Sequence, residues 1–90
     1  MKSTTEEVKH VHAKALELLK SKEEVYEDSW VREGIRVLSA SNYRKASGLE
    51  VMFRNGSWKK QPDKVKEDLL DEINYAAILY RLMEMEEEKE

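Results

Sequence analysis

Four acidic residues, Glu67, Asp68, Asp71 and Glu72, fall within two turns of the stretch "KVKEDLLDEINYAAILYRL" (Lys64–Leu82). Carboxylates three and four residues apart on a helix are neighbours on its surface. Two chemistries suit such a group. The acids can pair with lysines and arginines of an adjacent helix, of which the chain has 16. Alternatively they can hold a divalent cation, and Mg²⁺ in particular takes one or two carboxylates and completes its shell with waters and phosphates.

Which of the two applies depends on where the helix points them. At about 100° per residue, Val65, Leu69, Leu70, Ile73, Ala76, Ala77, Tyr80 and Met83 draw one broad apolar arc, which is the face expected to be buried. Asp68 and Glu72 lie on the edge of that arc, at the seam with a neighbouring helix, whereas Glu67 and Asp71 are expected to face outwards. Unpaired carboxylates at a seam must raise their pKa or find a cation.

The remaining elements follow from the same spacing. One helix is expected from about Thr5 to Val25, capped by Ser3, Thr4 or Thr5, with Glu6 and Glu7 in its first turn. Val8, Val11, Ala15, Leu18 and Leu19 form its stripe. A short second helix spans about Ser29 to Leu38, weakened at Gly34. The run "SASN" is expected to break it, with Ser39 or Ser41 as the next cap. A third helix takes "NYRKASGLEVMFR" and ends at Asn55-Gly56. After the loop "SWKKQ", Pro62 opens a last helix that runs to about Met85, leaving residues 86–90 as a frayed acidic tail. The expected architecture is therefore all-α, a single four-helix, bundle-like domain. Ninety residues make a small core, so dimerisation is expected to complete it.

Composition narrows the function. The chain has no cysteine, which excludes disulfides and thiolate metal sites. Charged residues make up 39% of it, yet the net charge is only −3, which argues against a general nucleic-acid binder. No apolar run approaches the ~20 residues of a membrane span, and "MKSTTEEVKH" lacks a signal-peptide core. A cytoplasmic protein (host cytoplasm if viral) is the expectation. Two histidines on one helix, His10 and His12, make neither a zinc site nor a catalytic triad.

Three segments carry a resemblance. "YEDSW" (Tyr26–Trp30) resembles the "YGDSW" signature of the nucleotide-modification-associated domain 1 family, found mainly in phages and prokaryotes. "RKASGL" resembles that family's Asp-Lys-x-x-Arg-Leu helix, and "EDLLDEINYAAIL" its closing D-x-x-x-D-x-x-NYA helix. They occur in family order and span about two thirds of the chain. The family is similar in turn to the MazG-like, all-α nucleoside triphosphate pyrophosphohydrolases, helical dimers or tetramers that bind Mg²⁺. The resemblance implies a nucleotide (NTP or dNTP) as ligand, with Asp28, Asp68 and Asp71 as metal ligands and Glu72 beside them. Lys45 would contact phosphate, and Asn74 would bond a ligand carboxylate or the nucleotide, both in catalytic roles. Tyr75 matches the Tyr of the family's Asn-Tyr pair. Trp58 and Lys59, in a small basic and aromatic loop with Arg54 and Lys60, are further nucleotide-binding candidates.

The chain also departs from the family pattern. Glu27 stands where the family has Gly, Arg44 replaces its Asp, and Gly48 replaces its Arg, which removes one phosphate contact. Glu23, Glu24 and Glu27 spell Glu-Glu-x-x-Glu, the first MazG motif, although they fall out of register with "YEDSW"; Glu24 and Glu27 are secondary metal candidates. The rival reading is a non-catalytic helical interaction protein, of a kind a virus can carry, that keeps the fold and uses these acids as ion-pair partners.

Overall fold

The computed structural model describes residues 2–23 and 29–89, with only the backbone of residue 29. Over these residues the chain is all-helical, with three long helices: α1 (Thr4–Ser21), α2 (Ser29–Asn55) and α3 (Pro62–Glu88). A single 3-10 turn, Ser57–Lys60, precedes α3.

Local chemistry explains the ends. Ser3 is extended (φ −63°, ψ 156°) and its Oγ accepts the Glu6 N–H at 3.3 Å, with Glu6 and Glu7 in the positive first turn. α1 stops at Ser21, with the Lys22 N–H on the Leu19 carbonyl at 3.1 Å. Of the expected extension to Val25, Lys22 is the C-cap, and residues 24 and 25 lie outside the described residues. At the far end of α2, Gly56 takes φ 79°, the left-handed conformation that glycine adopts without strain. Pro62 then occupies the first turn of α3, where no N–H is needed. α3 continues to Glu88, so most of the tail expected to fray is helical.

Among the described residues the break between the expected second and third helices is displaced, which corrects the boundary read at "SASN". "SASN" does not break α2, because its hydroxyls are satisfied within the helix. Ser39 Oγ donates to the Arg36 carbonyl at 3.1 Å, and Ser41 Oγ accepts from Arg44 at 3.2 Å. The interruption comes instead at Gly34, whose φ 77° and ψ 177° kink the helix. Only glycine readily occupies that region.

α2 and α3 form an antiparallel hairpin, and α1 packs antiparallel on α3. No comparable contact joins α1 to α2 among the described residues. α3, about 40 Å long at 1.5 Å per residue, is thus the shared spine. Among the described residues the buried apolar side chains are few: Ala15, Leu38, Leu49, Val65 and Leu82, with Asn74 as the buried polar one. No described helix is long and apolar enough to cross a membrane.

The orientation of α3 is the second correction. The arc expected to be buried is largely open: Leu69 is 39% exposed, Tyr80 68% and Met83 54%, and Ala76 and Ala77 are exposed as well. The face turned towards α1 and α2 carries Leu82, Asn74, Ile78, Asp71, Asp68 and Val65. Hydrophobicity alone cannot orient this helix. Lysines at the end of α1 and on α2 reach its acidic flank and make that flank the clasped one.

Candidate functional site

Asp68 and Asp71, three residues apart, share one face of α3. Lys45 projects from α2 between them, its Nζ 2.9 Å from Asp71 Oδ2 and 3.4 Å from Asp68 Oδ1. Lys64, one turn before Asp68 on the same helix, approaches the other Asp68 oxygen at 3.2 Å. From the opposite side Lys22, at the end of α1, lies 3.3 Å from Asp71 Oδ1 and 3.6 Å from Glu67 Oε1. Each aspartate is therefore held by two ammonium groups. The side chains of Asp68 and Asp71 are only 19% and 17% exposed, against 55% for Glu67. Asp71, expected to face outwards, is instead drawn into the seam, because lysines meet it from both neighbouring segments. Glu72 faces the Asn42 amide, whose nitrogen donates to the carboxylate once the amide is turned to the orientation its surroundings require.

Charge and burial compete at each group. Partial burial opposes the Lys45 ammonium, but the hydrogen bond and charge of Asp71, followed by those of Asp68, outweigh it and raise its pKa. Burial likewise pushes the Asp68 carboxyl up, yet the Lys64 hydrogen bond and the Lys45 charge together bring it below the usual aspartate value. For Glu72 burial prevails: assisted by Asp68 and Asp71, it raises the pKa against the pull of Lys45.

Beside this cluster, between α1, α2 and α3, lies a cavity of about 540 Å³, within the size range of small-molecule sites. Leu38, Ile78, Trp30 and Tyr75 give it apolar and aromatic walls, while Asp71 and Lys22 line its charged side. Asp71 is thus common to the cavity and to the lysine clasp. Asn74 also borders the cavity, but its Nδ2 donates to the Ala15 carbonyl at 2.9 Å and ties α3 to α1.

The structure accordingly brings together Lys45, Asp68, Asp71 and Glu72, with Asn74 and Tyr75 close by on α3. Trp58 and Lys59 sit apart from the cavity, in the 3-10 turn. There the Trp58 ring packs against Phe53 at a centroid distance of 6.1 Å. Asp28, Glu24 and Glu27 lie outside the described residues. Among the described residues no group of three or more His, Asp or Glu side chains is placed to hold a metal. Asp68 and Asp71 provide the one or two carboxylates that Mg²⁺ requires from a protein, and in this arrangement ammonium groups answer their charge.

Lys22 and Asn42 were not singled out from the sequence, although both had a signal. Lys22 continues the stripe Ala15–Leu18–Leu19 at the next helical step, and Asn42 precedes Lys45 by three residues. No family model matches the chain, and no curated protein or solved structure matches it either.

Proposed function

We propose that the chain is a MazG-like nucleotide-binding protein, with Asp68, Asp71 and Lys45 at the phosphate end of the site and the Trp30–Tyr75 cavity taking the base. The observation that carries this reading is the junction at Asp71, where an aromatic-walled cavity opens onto a cluster of carboxylates and lysines. Aromatic faces accept any planar base, and ammonium groups neutralise phosphate. In the finer form of the proposal, Asp68 and Asp71 hold Mg²⁺, with Asp28 as a third ligand. Bound there, the ion would polarise phosphoryl oxygens and lower the pKa of an attacking water, as a pyrophosphohydrolase needs. The chain's own contribution is to place Lys45 against the phosphates and to keep the base out of water. The reading extends to self-association, which would complete a core that buries few apolar side chains within one chain.

A second reading is favoured by one specific observation: every Asp68 and Asp71 oxygen already has a lysine partner. An interaction protein that retains the fold alone would look like this. Thermal unfolding followed with Mg²⁺, with mixed nucleoside triphosphates and with both separates the two. Stabilisation that needs nucleotide and disappears in Asp71→Asn supports the nucleotide site, and pyrophosphate release supports turnover. No ligand-dependent shift in the wild-type protein supports the interaction protein.

A further inference from the structure

α3 presents to solvent the side that its sequence marks as apolar. Leu69, Ile73, Ala76, Ala77, Tyr80 and Met83 run along it, and all but the half-buried Ile73 are exposed. At the Leu69 end the strip continues into an open groove between α2 and α3, formed by Ala46, Leu49 and Phe53. Exposed apolar residues scattered singly need no partner, but a contiguous strip along a helix marks an interaction site.

The charges bordering the strip indicate what covers it. Lys66 flanks its N-terminal end, and Glu84 and Glu87 flank its C-terminal end. Among the described residues neither Lys66 nor Glu87 has an ion-pair partner. A strip that is basic at one end and acidic at the other is complementary to itself when reversed. Its smallest residues, Ala76 and Ala77, sit at the midpoint, where two helices crossing a two-fold axis come closest.

We propose that two copies of this chain pair through this face, α3 packing antiparallel against α3 about a two-fold axis beside Ala76 and Ala77. In that register Lys66 meets Glu87 of the second copy, Ile73 meets its Tyr80, and the Leu69–Phe53 groove lies against its Met83. The contact is isologous, as a two-fold dimer requires. It deepens the self-association proposed above and rests on it, but not on the nucleotide reading.

The absence of cysteine gives a clean test of the face. Light scattering coupled to size exclusion reads the mass of the wild-type chain, and Ala77→Cys under mild oxidation reads the geometry, since a disulfide forms only where Cα atoms lie within about 7 Å. The expected result is a dimer whose Ala77→Cys form cross-links within the pair. Ala76→Glu, at a position exposed in the single chain, should weaken the dimer about ten-fold or more while leaving helical circular dichroism intact. Lys66→Glu and Glu87→Lys should each weaken it by about two- to five-fold, and the double exchange should restore it. A monomer at all concentrations would overturn self-association and this face together. A dimer that neither cross-links through Ala77→Cys nor responds to Ala76→Glu would overturn the face alone.

Discussion

The Lys45 ammonium lies 2.9 Å from the Asp71 carboxylate, and through this contact α2 supplies α3 with the cation that its acidic turn requires. Lys45→Met keeps the length of the side chain and removes the charge. Asp68 and Asp71 then retain only Lys64 and Lys22, and the loss should be about 1–3 kcal/mol, as for a part-buried polar group deprived of its partner. Urea denaturation measures it directly. The same variant tests the metal: with Lys45 gone, Mg²⁺ should raise the melting temperature more than it does in the wild type. An equal response in both proteins would mean that lysine and ion do not compete for the aspartates.

The dependence on pH has a definite sign at each group. Asp68, depressed below 3.8, contributes stability that is present above that value and lost as pH falls through its folded pKa. Lys45, raised above 10.5, contributes stability that is complete below that value and lost as pH climbs through its folded pKa. Glu72 works the other way from Asp68. Raised above 4.5, it favours the fold only when protonated, and that contribution is lost as pH rises through its folded value. Glu72→Gln can still accept the Asn42 hydrogen bond, so it should melt slightly higher than the wild type at pH 7, with the difference closing below pH 4.5. Melting curves from pH 3 to 11 (~0.5-unit steps suffice for transitions about two units wide) would display all three effects.

Two glycines of α2 should respond oppositely to alanine. At Gly34 a Cβ would meet no atom within 4 Å, yet φ 77° is a backbone that alanine adopts only with strain. Gly34→Ala should therefore cost about 1–3 kcal/mol. Gly48 has ordinary helical geometry and equally open surroundings. Gly48→Ala should gain about 0.5–1 kcal/mol. Gly48→Arg should fit for the same reason and puts a basic residue three positions after Lys45, so under the proposed nucleotide reading it should also strengthen a nucleotide-dependent thermal shift.

Asn74 is the buried polar residue of the core, and its amide joins the Ala15 carbonyl across 59 residues of sequence. That carbonyl keeps its own helical N–H within α1, so Asn74→Ala removes the inter-helix bond alone and should cost about 0.5–1.5 kcal/mol. Asn74→Asp should cost more at pH 7, because a carboxylate facing a carbonyl repels it, and should recover as the acid is protonated. Equilibrium denaturation at pH 7 and pH 4 compares the two.

Helix identity was legible in the sequence because periodicity, Ser3, Pro62 and Gly56 all act locally. Features set by the packing were not. Ser39 and Ser41 look like a cap from their residue type, but whether a hydroxyl bonds forward to a new helix or back to its own is decided by the surrounding turn. Gly34 drew attention for its helix propensity, whereas its positive φ comes from the path the chain takes to lay α2 on α3. The orientation of α3 escaped for a related reason. An apolar arc indicates which side wants cover, but Lys22 and Lys45 determine which side the same chain covers, and their partners lie far away in sequence. Asp68 and Asp71 were recognisable as a pair. That lysines answer them emerged only with the packing.

The shared spine has a consequence for the order of assembly. Joining α2 to α3 closes only the short Gly56–Gln61 turn, whereas docking α1 on α3 must bring Ala15 to Asn74 across most of the chain. Loop-closure entropy favours the short turn. The α2–α3 hairpin should thus form first and serve as the template on which α1 settles late. In stopped-flow kinetics, Asn74→Ala would then accelerate unfolding and leave the folding rate nearly unchanged. A slowed folding rate would instead place α1 in the nucleus.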